Sequence, residues 1–291
     1  MIEPQADYPL ARLTTVRTGG AAEYFAGASS RRELSELLVW ASARGLEVNV
    51  VGSGSNLLVA DTGVRGLVLK LERDLARIEP DGEGLRCGGG ARLPAVAARA
   101  AGLGLGGIEF GVNIPGTVGG AVRMNANAYD GALAEVLDWV EIATAEGIAR
   151  RGPQELGFAY RSSGLERSEI VARARFALVP ASPESIRATL QSMRERRHAA
   201  QPKGIRTFGS TFKNPPGQTA GLLLEAAGAA TLEFGGARFS RKHANFVENV
   251  GGASTADVVE LIAAGRALVV ERFGIELEPE VQLLGNVRFP W

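Results

Sequence analysis

Ile114-Pro115-Gly116-Thr117-Val118-Gly119-Gly120-Ala121, followed by Met124-Asn125-Ala126-Asn127-Ala128-Tyr129, is the stretch on which the fold turns. A Pro-Gly pair, a threonine and a Gly-Gly pair leave many unhindered backbone N–H donors in one short run. Glycine lets a ligand approach the main chain closely and adopts positive φ without a Cβ clash. Such a run suits a pyrophosphate or the polar rim of a planar ring. A buried structural crossover would also use Gly-Gly, but it would not ordinarily keep Thr117, Asn125 and Asn127 in the same run. Just upstream, Gly107-Ile108-Glu109-Phe110-Gly111 adds two more glycines.

A second small-residue loop lies nearer the N-terminus. The apolar Val48–Val51 runs straight into Gly52-Ser53-Gly54-Ser55-Asn56-Leu57. Consecutive small residues can form an anion-binding concavity from their N–H groups, to which the serine hydroxyls add donors. The loop is not a dinucleotide fingerprint, because no GxGxxG opens a helix here, and no Gly-Lys-Ser/Thr follows to make a P-loop. Taken alone, a structural hairpin turn explains it equally well.

Outward from these loops the chain alternates helices and strands. Ser30–Arg44 reads as a helix, with Ser30 and Glu33 resembling a capping box and Leu34, Leu37, Leu38 and Ala41 on one face. Strands are expected at Val48–Val51, Gly66–Leu71, Leu137–Ala143 and Ile170–Val179. Helices are expected at Leu93–Ala101, with Pro94 in its first turn, at Pro183–His198, at Thr219–Ala227 and at Thr255–Phe273. The last is capped by Ser254 and stopped by Gly274. Gln201-Pro202-Lys203-Gly204 interrupts the pattern and marks a domain boundary. The organisation predicted is α+β, with an N-terminal region over 1–199 in two lobes (about 1–71 and 72–199) and a smaller C-terminal α/β domain over 200–291.

Composition narrows the function classes. The chain has 291 residues, enough for about two domains, and 45% hydrophobic residues, enough for a packed core. Its 38 glycines exceed the about 20 expected for this length, and they cluster rather than repeat. Lysine plus arginine and aspartate plus glutamate both number 32, so the basic excess typical of nucleic-acid or acidic-membrane binding is missing. No apolar run approaches the ~18 residues of a membrane span, and the N-terminus shows no signal-like apolar core. One cysteine, Cys87, excludes an intramolecular disulfide and fits a reducing, cytoplasmic compartment. With two histidines and one cysteine, no metal site is expected.

Together the loops GSGSNLL (52–58) and GIEF…IPGTVGGAVRMNANAY (107–129) resemble the FAD-binding half of vanillyl-alcohol-oxidase-type flavoproteins. More narrowly, they resemble the UDP-N-acetylenolpyruvoylglucosamine reductase family. The C-terminal half agrees and keeps the family order. Its motifs are Tyr160-Arg161-Ser162-Ser163, Gly209-Ser210-Thr211-Phe212-Lys213-Asn214-Pro215, Lys242-His243-Ala244-Asn245-Phe246 and Leu277-Glu278-Pro279-Glu280-Val281. The likeness covers about residues 13 to 285. The extra subdomain with a substrate-clamping tyrosine is missing, which matches the shorter branch.

The resemblance implies noncovalent FAD, NADPH as co-substrate and a UDP-linked enolpyruvyl sugar as substrate, in a monomer or weak oligomer without nucleic-acid or membrane partners. It places FAD on Gly52, Ser53, Gly54, Ser55, Asn56 and Leu57, and on Ile114, Pro115, Gly116, Thr117, Gly119, Gly120, Asn125 and Ala126. It places substrate on Tyr160, Lys213, Asn214 and His243, and catalysis on Arg161, Ser210 and Glu280. Reducing an enolpyruvyl ether adds hydride to the methylene carbon and pushes negative charge onto the neighbouring carbon and its carboxylate. Arg161 can bind that carboxylate with its fork, Ser210 can deliver the proton, and Glu280 can share the site if it holds a proton.

Each residue also has a plainer reading. Arg161 could be a surface-loop cation, Ser210 a turn cap, Glu280 a solvated strand-edge carboxylate, Lys213 and Asn214 turn residues before Pro215, and His243 a satisfied polar residue beside Phe246. Cys87 is expected to pack within a strand. The sequence also departs from the family: Ala229-Ala230-Thr231 stands where a lysine usually approaches the substrate diphosphate, so either another cation such as Lys213, Arg238 or Arg241 compensates or diphosphate binding is weaker. Asn127 and Asp130 replace glycines, and Gln282 replaces a basic residue. Two other functions remain open at this level: an FAD-dependent sugar or alcohol oxidase on the same scaffold, and a non-catalytic nucleotide-sugar-binding protein.

Overall fold

The computed structural model describes residues 3–291. Its secondary structure is the α+β mixture the sequence predicts, and it divides into two compact units. The first comprises the chain up to Ala6, Tyr24–Ser53 and Gly66–Arg197. The second comprises Asp7–Glu23, Gly54–Arg65 and His198–Trp291. The long C-terminal segment begins next to the Pro-Gly break at 201–204. The two short N-terminal excursions that join it carry no composition signal of their own.

The first unit is organised by a five-stranded antiparallel sheet in the order Gly147–Arg151, Leu137–Thr144, Ile170–Ala177, Gly84–Gly88, Ile78–Pro80. Ile170–Ala177 divides its side chains between two buried clusters, and the register shift against Glu141–Ile142 breaks the strict period of two near Ala172, so that the inward face changes parity there. Val171, Ala174 and Phe176 join Leu85, Cys87, Val140 and Ile142 on one side, covered by Leu93, Val96 and Ala100 of the helix Leu93–Gly102 and by Val118 and Val122. Ile170 and Ala172 join Leu34, Leu37, Leu38 and Ala41 of the helix Arg31–Ser42 on the other. That helix starts as its sequence demands: the Ser30 side chain accepts from Glu33 N–H. Glu33 closes the cap one residue earlier than a standard box, accepting from the N–H of Ser29 at 2.7 Å. Val48–Val50 pairs in parallel with Leu67–Leu69.

The second unit has its own core. Phe208, Phe212, Phe239 and Leu224 pack with Val258, Leu261, Ile262 and Val269 of the helix Thr255–Phe273. The two excursions enter this core directly. Val16 and Leu58 are fully buried in it, and Leu57–Val59 pairs in parallel with Gln282–Leu284. The helix Thr255–Phe273 has the expected Ser254 cap, reciprocated by Asp257 accepting from Ser254 N–H at 2.8 Å. Asp61 adds a cap from one excursion, accepting from the N–H groups of Thr255 and Ala256 at 2.9 Å each. Among the described residues no helix is long and apolar enough to cross a membrane, and no group of three metal-ligating side chains occurs.

Cys87 sits fully buried in the strand Gly84–Gly88, and burial pushes its thiol up to about 12. A raised pKa holds the unreactive thiol form, and only the unfolded chain can release the proton above ~8.5. Folding stability therefore falls as pH climbs from that value toward the folded pKa. Iodoacetamide at about pH 8 should leave native Cys87 unmodified and alkylate it after denaturation, read by mass spectrometry. Labelling of the native protein at the rate of a free thiol would contradict this burial.

Candidate active site

Within the first unit, Gly52 at the start of one glycine loop meets Thr117 of the other. A Cβ on Gly52 would stand 2.4 Å from Thr117 Oγ1 and 3.1 Å from Thr117 Cγ2, so only glycine lets these backbones approach. Gly54, at φ +62°, lies so close to Leu13 that a Cβ would fall 1.9 Å from its carbonyl oxygen. Thr15 N–H and Oγ1 both donate to Gly54 O, at 3.0 and 3.1 Å, which pins the loop from below. The N–H groups of Gly52, Ser53 and Gly54 donate to no other described residue, so they remain open as donors.

The Ile114–Ala126 run is more varied than its sequence implies. Val118 N–H donates to Ala91 O and Gly119 N–H to Gly89 O, at 2.8 Å each. Those two donors tie the turn to the end of the strand Gly84–Gly88. The N–H groups of Gly116, Thr117 and Gly120 bond to no described residue. The upstream glycines are packing residues: a Cβ on Gly89 would meet Val171 O at 1.8 Å, and one on Gly90 would meet Leu71 O at 2.2 Å.

Asn125 is buried at φ +39°, and its carboxamide is used at both ends: Nδ2 donates to Ala159 O and Oδ1 accepts from Ala134 N–H, each 3.2 Å. Ala126 continues the turn, its N–H reaching Ala121 O and its carbonyl accepting from Leu133 N–H. Asn125 thereby anchors the turn that presents Tyr160 and Arg161. Ala159 and Ser162 exchange backbone bonds at 3.1 and 3.2 Å, leaving Tyr160 and Arg161 at the tip. Arg161 has φ +57°, an uncommon conformation for a side chain of its size. Its Nη1 donates to Asn127 O at 3.1 Å, and its guanidinium lies 5.4 Å from the Tyr160 ring centroid.

In the second unit Ser210 and Glu280 come together. Ser210 bridges to Phe246, Phe212 bridges to Pro279, and Glu280 N–H donates to Thr211 O at 2.8 Å. The serine is half-buried between Phe208 and Phe212, each only 1% exposed, so both neighbours are locked in the core. Asn56 joins this group, its Nδ2 donating to Glu280 O at 3.2 Å and its carbonyl accepting from Gln282 N–H. The sequence reading missed this contact because 224 positions separate the two residues. Ser55 O stands 3.6 Å from where a Cβ on Gly209 would lie, and Gly209 has φ +85°.

Lys213 ion-pairs with Glu278, and Asn214 Oδ1 accepts from Ala220 N–H at 3.0 Å, capping the helix Ala220–Ala226. Arg238 is paired with Glu248 at 3.0 Å. Arg241 is exposed and bonds to no described residue. His243 packs edge-on to Phe246 with 4.9 Å between ring centroids, and its Nδ1 accepts from Asn245 N–H at 3.3 Å. Burial lowers its pKa, outweighing the opposite pull of its own backbone and of Glu225. The ring is therefore neutral near pH 7, and the Nδ1 bond assigns its proton to Nε2.

Comparisons with known proteins agree across the whole chain. Residues 201–284 match the family model described as the C-terminal domain of UDP-N-acetylenolpyruvoylglucosamine reductase, and residues 22–152 match an FAD binding domain. A UDP-N-acetylenolpyruvoylglucosamine reductase of Symbiobacterium thermophilum is 46% identical over 285 residues, covering 97% of this chain and 92% of the relative. One from Anaeromyxobacter dehalogenans is 46% identical over 280 residues, covering 96% and 85%. The crystal structure of the Thermus caldophilus enzyme superposes with a TM-score of 0.84 at 36% identity, covering 98% of this chain and 99% of that one.

Thr211 is fully buried beside Ser210, and its Oγ1 has no hydrogen-bond partner among the described residues. An unsatisfied buried hydroxyl costs about 1–3 kcal/mol, whereas valine has the same shape and no such group. Thr211→Val should therefore leave thermal stability unchanged or raise it by about 1 kcal/mol. A destabilisation of that size in thermal unfolding would mean that the hydroxyl is bonded.

Proposed function

The chain belongs to the UDP-N-acetylenolpyruvoylglucosamine reductase family, and from that premise we propose how its residues carry out the reaction. The protein is an FAD-dependent oxidoreductase that uses NADPH to reduce UDP-N-acetylglucosamine enolpyruvate to UDP-N-acetylmuramate, a step of peptidoglycan precursor synthesis. The open N–H groups of Gly52, Ser53 and Gly54 fit the phosphates of FAD, and those of Gly116, Thr117 and Gly120 fit its polar rim. Bound there, FAD supplies the hydride, which it takes from NADPH. It is held without a covalent bond, in keeping with a lone cysteine that is buried and protonated.

The observation that carries the catalytic assignment is the bond between Glu280 N–H and Thr211 O, which sets the carboxyl-bearing residue beside the serine-bearing segment. Ser210 Oγ gives its proton to the carbon next to the substrate carboxylate, once that carbon has become carbanion-like and strongly basic. Arg161 neutralises the carboxylate as charge grows on it. Glu280 shares this task on condition that it holds a proton. Tyr160, Asn214 and His243 contact the nucleotide sugar, and Lys213 does so while paired with Glu278. Residues 1–199 hold FAD, in lobes of about 1–71 and 72–199, and 200–291 hold the substrate, with Asp7–Glu23 and Gly54–Arg65 folding with the latter. The protein works in the cytoplasm as a monomer or weak oligomer.

The cation for the substrate diphosphate, in place of the lysine replaced by Ala230, is assigned to Arg241, because Lys213 and Arg238 already face carboxylates. Arg241→Ala should weaken nucleotide-sugar binding by about 1.5–3 kcal/mol, the worth of a charge-assisted bond, and more than Arg238→Ala does. Equal small effects would remove Arg241 from the site. For the chemistry, Ser210→Ala should leave NADPH reduction of the bound flavin intact. Turnover of the enolpyruvyl substrate should slow by at least about 10²-fold, as expected for loss of a general acid. Wild-type turnover in Ser210→Ala would mean that the proton comes from another group.

A further inference from the structure

We propose that Asn245 is a positioning residue for Ser210, an inference that rests on the proton-donor reading given above. Asn245 is 3% exposed, and its carboxamide addresses a single residue: Oδ1 accepts from Phe212 N–H and Nδ2 donates to Phe212 O, both at 2.9 Å. Its own carbonyl accepts from Thr211 N–H at 2.8 Å. Three hydrogen bonds from one asparagine thus hold the two residues that follow Ser210. The side chain takes the place of a neighbouring strand, satisfying the N–H and C=O of a fully buried residue that would otherwise lack partners.

No other side chain fits this task. Aspartate keeps the shape but loses the Nδ2 donor, glutamine is one methylene too long for the same pair of bonds, and alanine leaves both Phe212 groups unsatisfied. The support behind Asn245 is equally specific. Its N–H donates to His243 Nδ1, and His243 packs against Gly221, where a Cβ would stand 2.8 Å from the ring. On the far side of the same segment, Glu280 N–H to Thr211 O and Lys213 N–H to Glu278 O supply the other restraints. Removing the Asn245 side-chain pair leaves the near side of the segment held only by the Thr211 N–H bond to Asn245 O and the Ser210–Phe246 bridge, and the serine hydroxyl shifts from its line to the substrate carbon. Misplacing a reacting group by ~1 Å can cost about 10²-fold in rate. Asn245 acts through the Phe212 backbone, so substrate affinity should not follow the rate.

The test uses FAD-loaded protein carrying Asn245→Asp or Asn245→Ala, each alone and combined with Ser210→Ala. The expected result is a kcat for the enolpyruvyl substrate lowered about 10- to 10²-fold, with KM unchanged and single-turnover reduction of the flavin by NADPH at the wild-type rate. In the Ser210→Ala background the Asn245 substitution should cause no further loss, because the group it positions is gone. A purely structural asparagine would slow both half-reactions and lower the rate again in the double variant, and either outcome overturns the proposal. Should Asn245→Ala not fold, Asn245→Asp, which keeps the shape and the acceptor, decides. Wild-type kcat in Asn245→Asp beside a slow Ser210→Ala sinks the positioning role alone. Wild-type kcat in Ser210→Ala sinks the donor assignment and the positioning role with it.

Discussion

The second unit depends on how one short segment, Ser210 to Lys213, is held from both sides. Asn245 and the Phe246 bridge grip it on one edge, and the backbone of Glu278 to Glu280 grips it on the other. Phe208 and Phe212 drive the anchoring, since burying a phenylalanine contributes about 1.5–3 kcal/mol. Hydrogen bonds then decide the register, because a buried backbone group left unpaired costs as much as the bond is worth. Apolar burial would hold this segment in the core in several arrangements. The asparagine pair and the Glu280 bond select one, and it is the one that leaves Ser210 half-buried and Glu280 beside it.

The first unit is built on a different constraint, close backbone approach. Gly52 against Thr117, Gly89 against Val171 and Gly90 against Leu71 are distances at which any Cβ would collide. The glycine excess therefore has two sources. Some glycines leave N–H groups open, as at Gly52 and Gly120. Others, such as Gly119, have their N–H bonded within the protein and serve packing. A run of glycines looks the same in either role, and only the partner on the far side of the contact tells them apart.

Much of the architecture is legible in the chain itself. The helices Arg31–Ser42, Leu93–Gly102 and Thr255–Phe273 form where cap residues and apolar spacing call for them, because those signals act within a turn or two of the helix. The strands Leu137–Thr144 and Ile170–Ala177 follow from apolar runs of strand length. The motif order from GSGSNLL to LEPEV identifies the family without coordinates, since so many short matches in sequence order do not arise by chance.

Tertiary structure alone decided how residues far apart in the chain are combined. That Asp7–Glu23 and Gly54–Arg65 fold with the C-terminal segment is invisible locally, because burying Val16 and Leu58 needs a core supplied some 200 residues later. The same holds for the Asn56 bond to Glu280, the Asp61 cap on Thr255 and the clamp of Asn245 on Phe212. Asparagine and aspartate advertise hydrogen-bonding capacity in sequence, but which backbone group they satisfy is set by the chain that packs against them. Residue types, local elements and family are thus properties of the sequence. Which glycines keep their N–H groups open, which amides clamp and which cations stay open are properties of long-range packing, because each depends on a partner that sequence proximity does not supply.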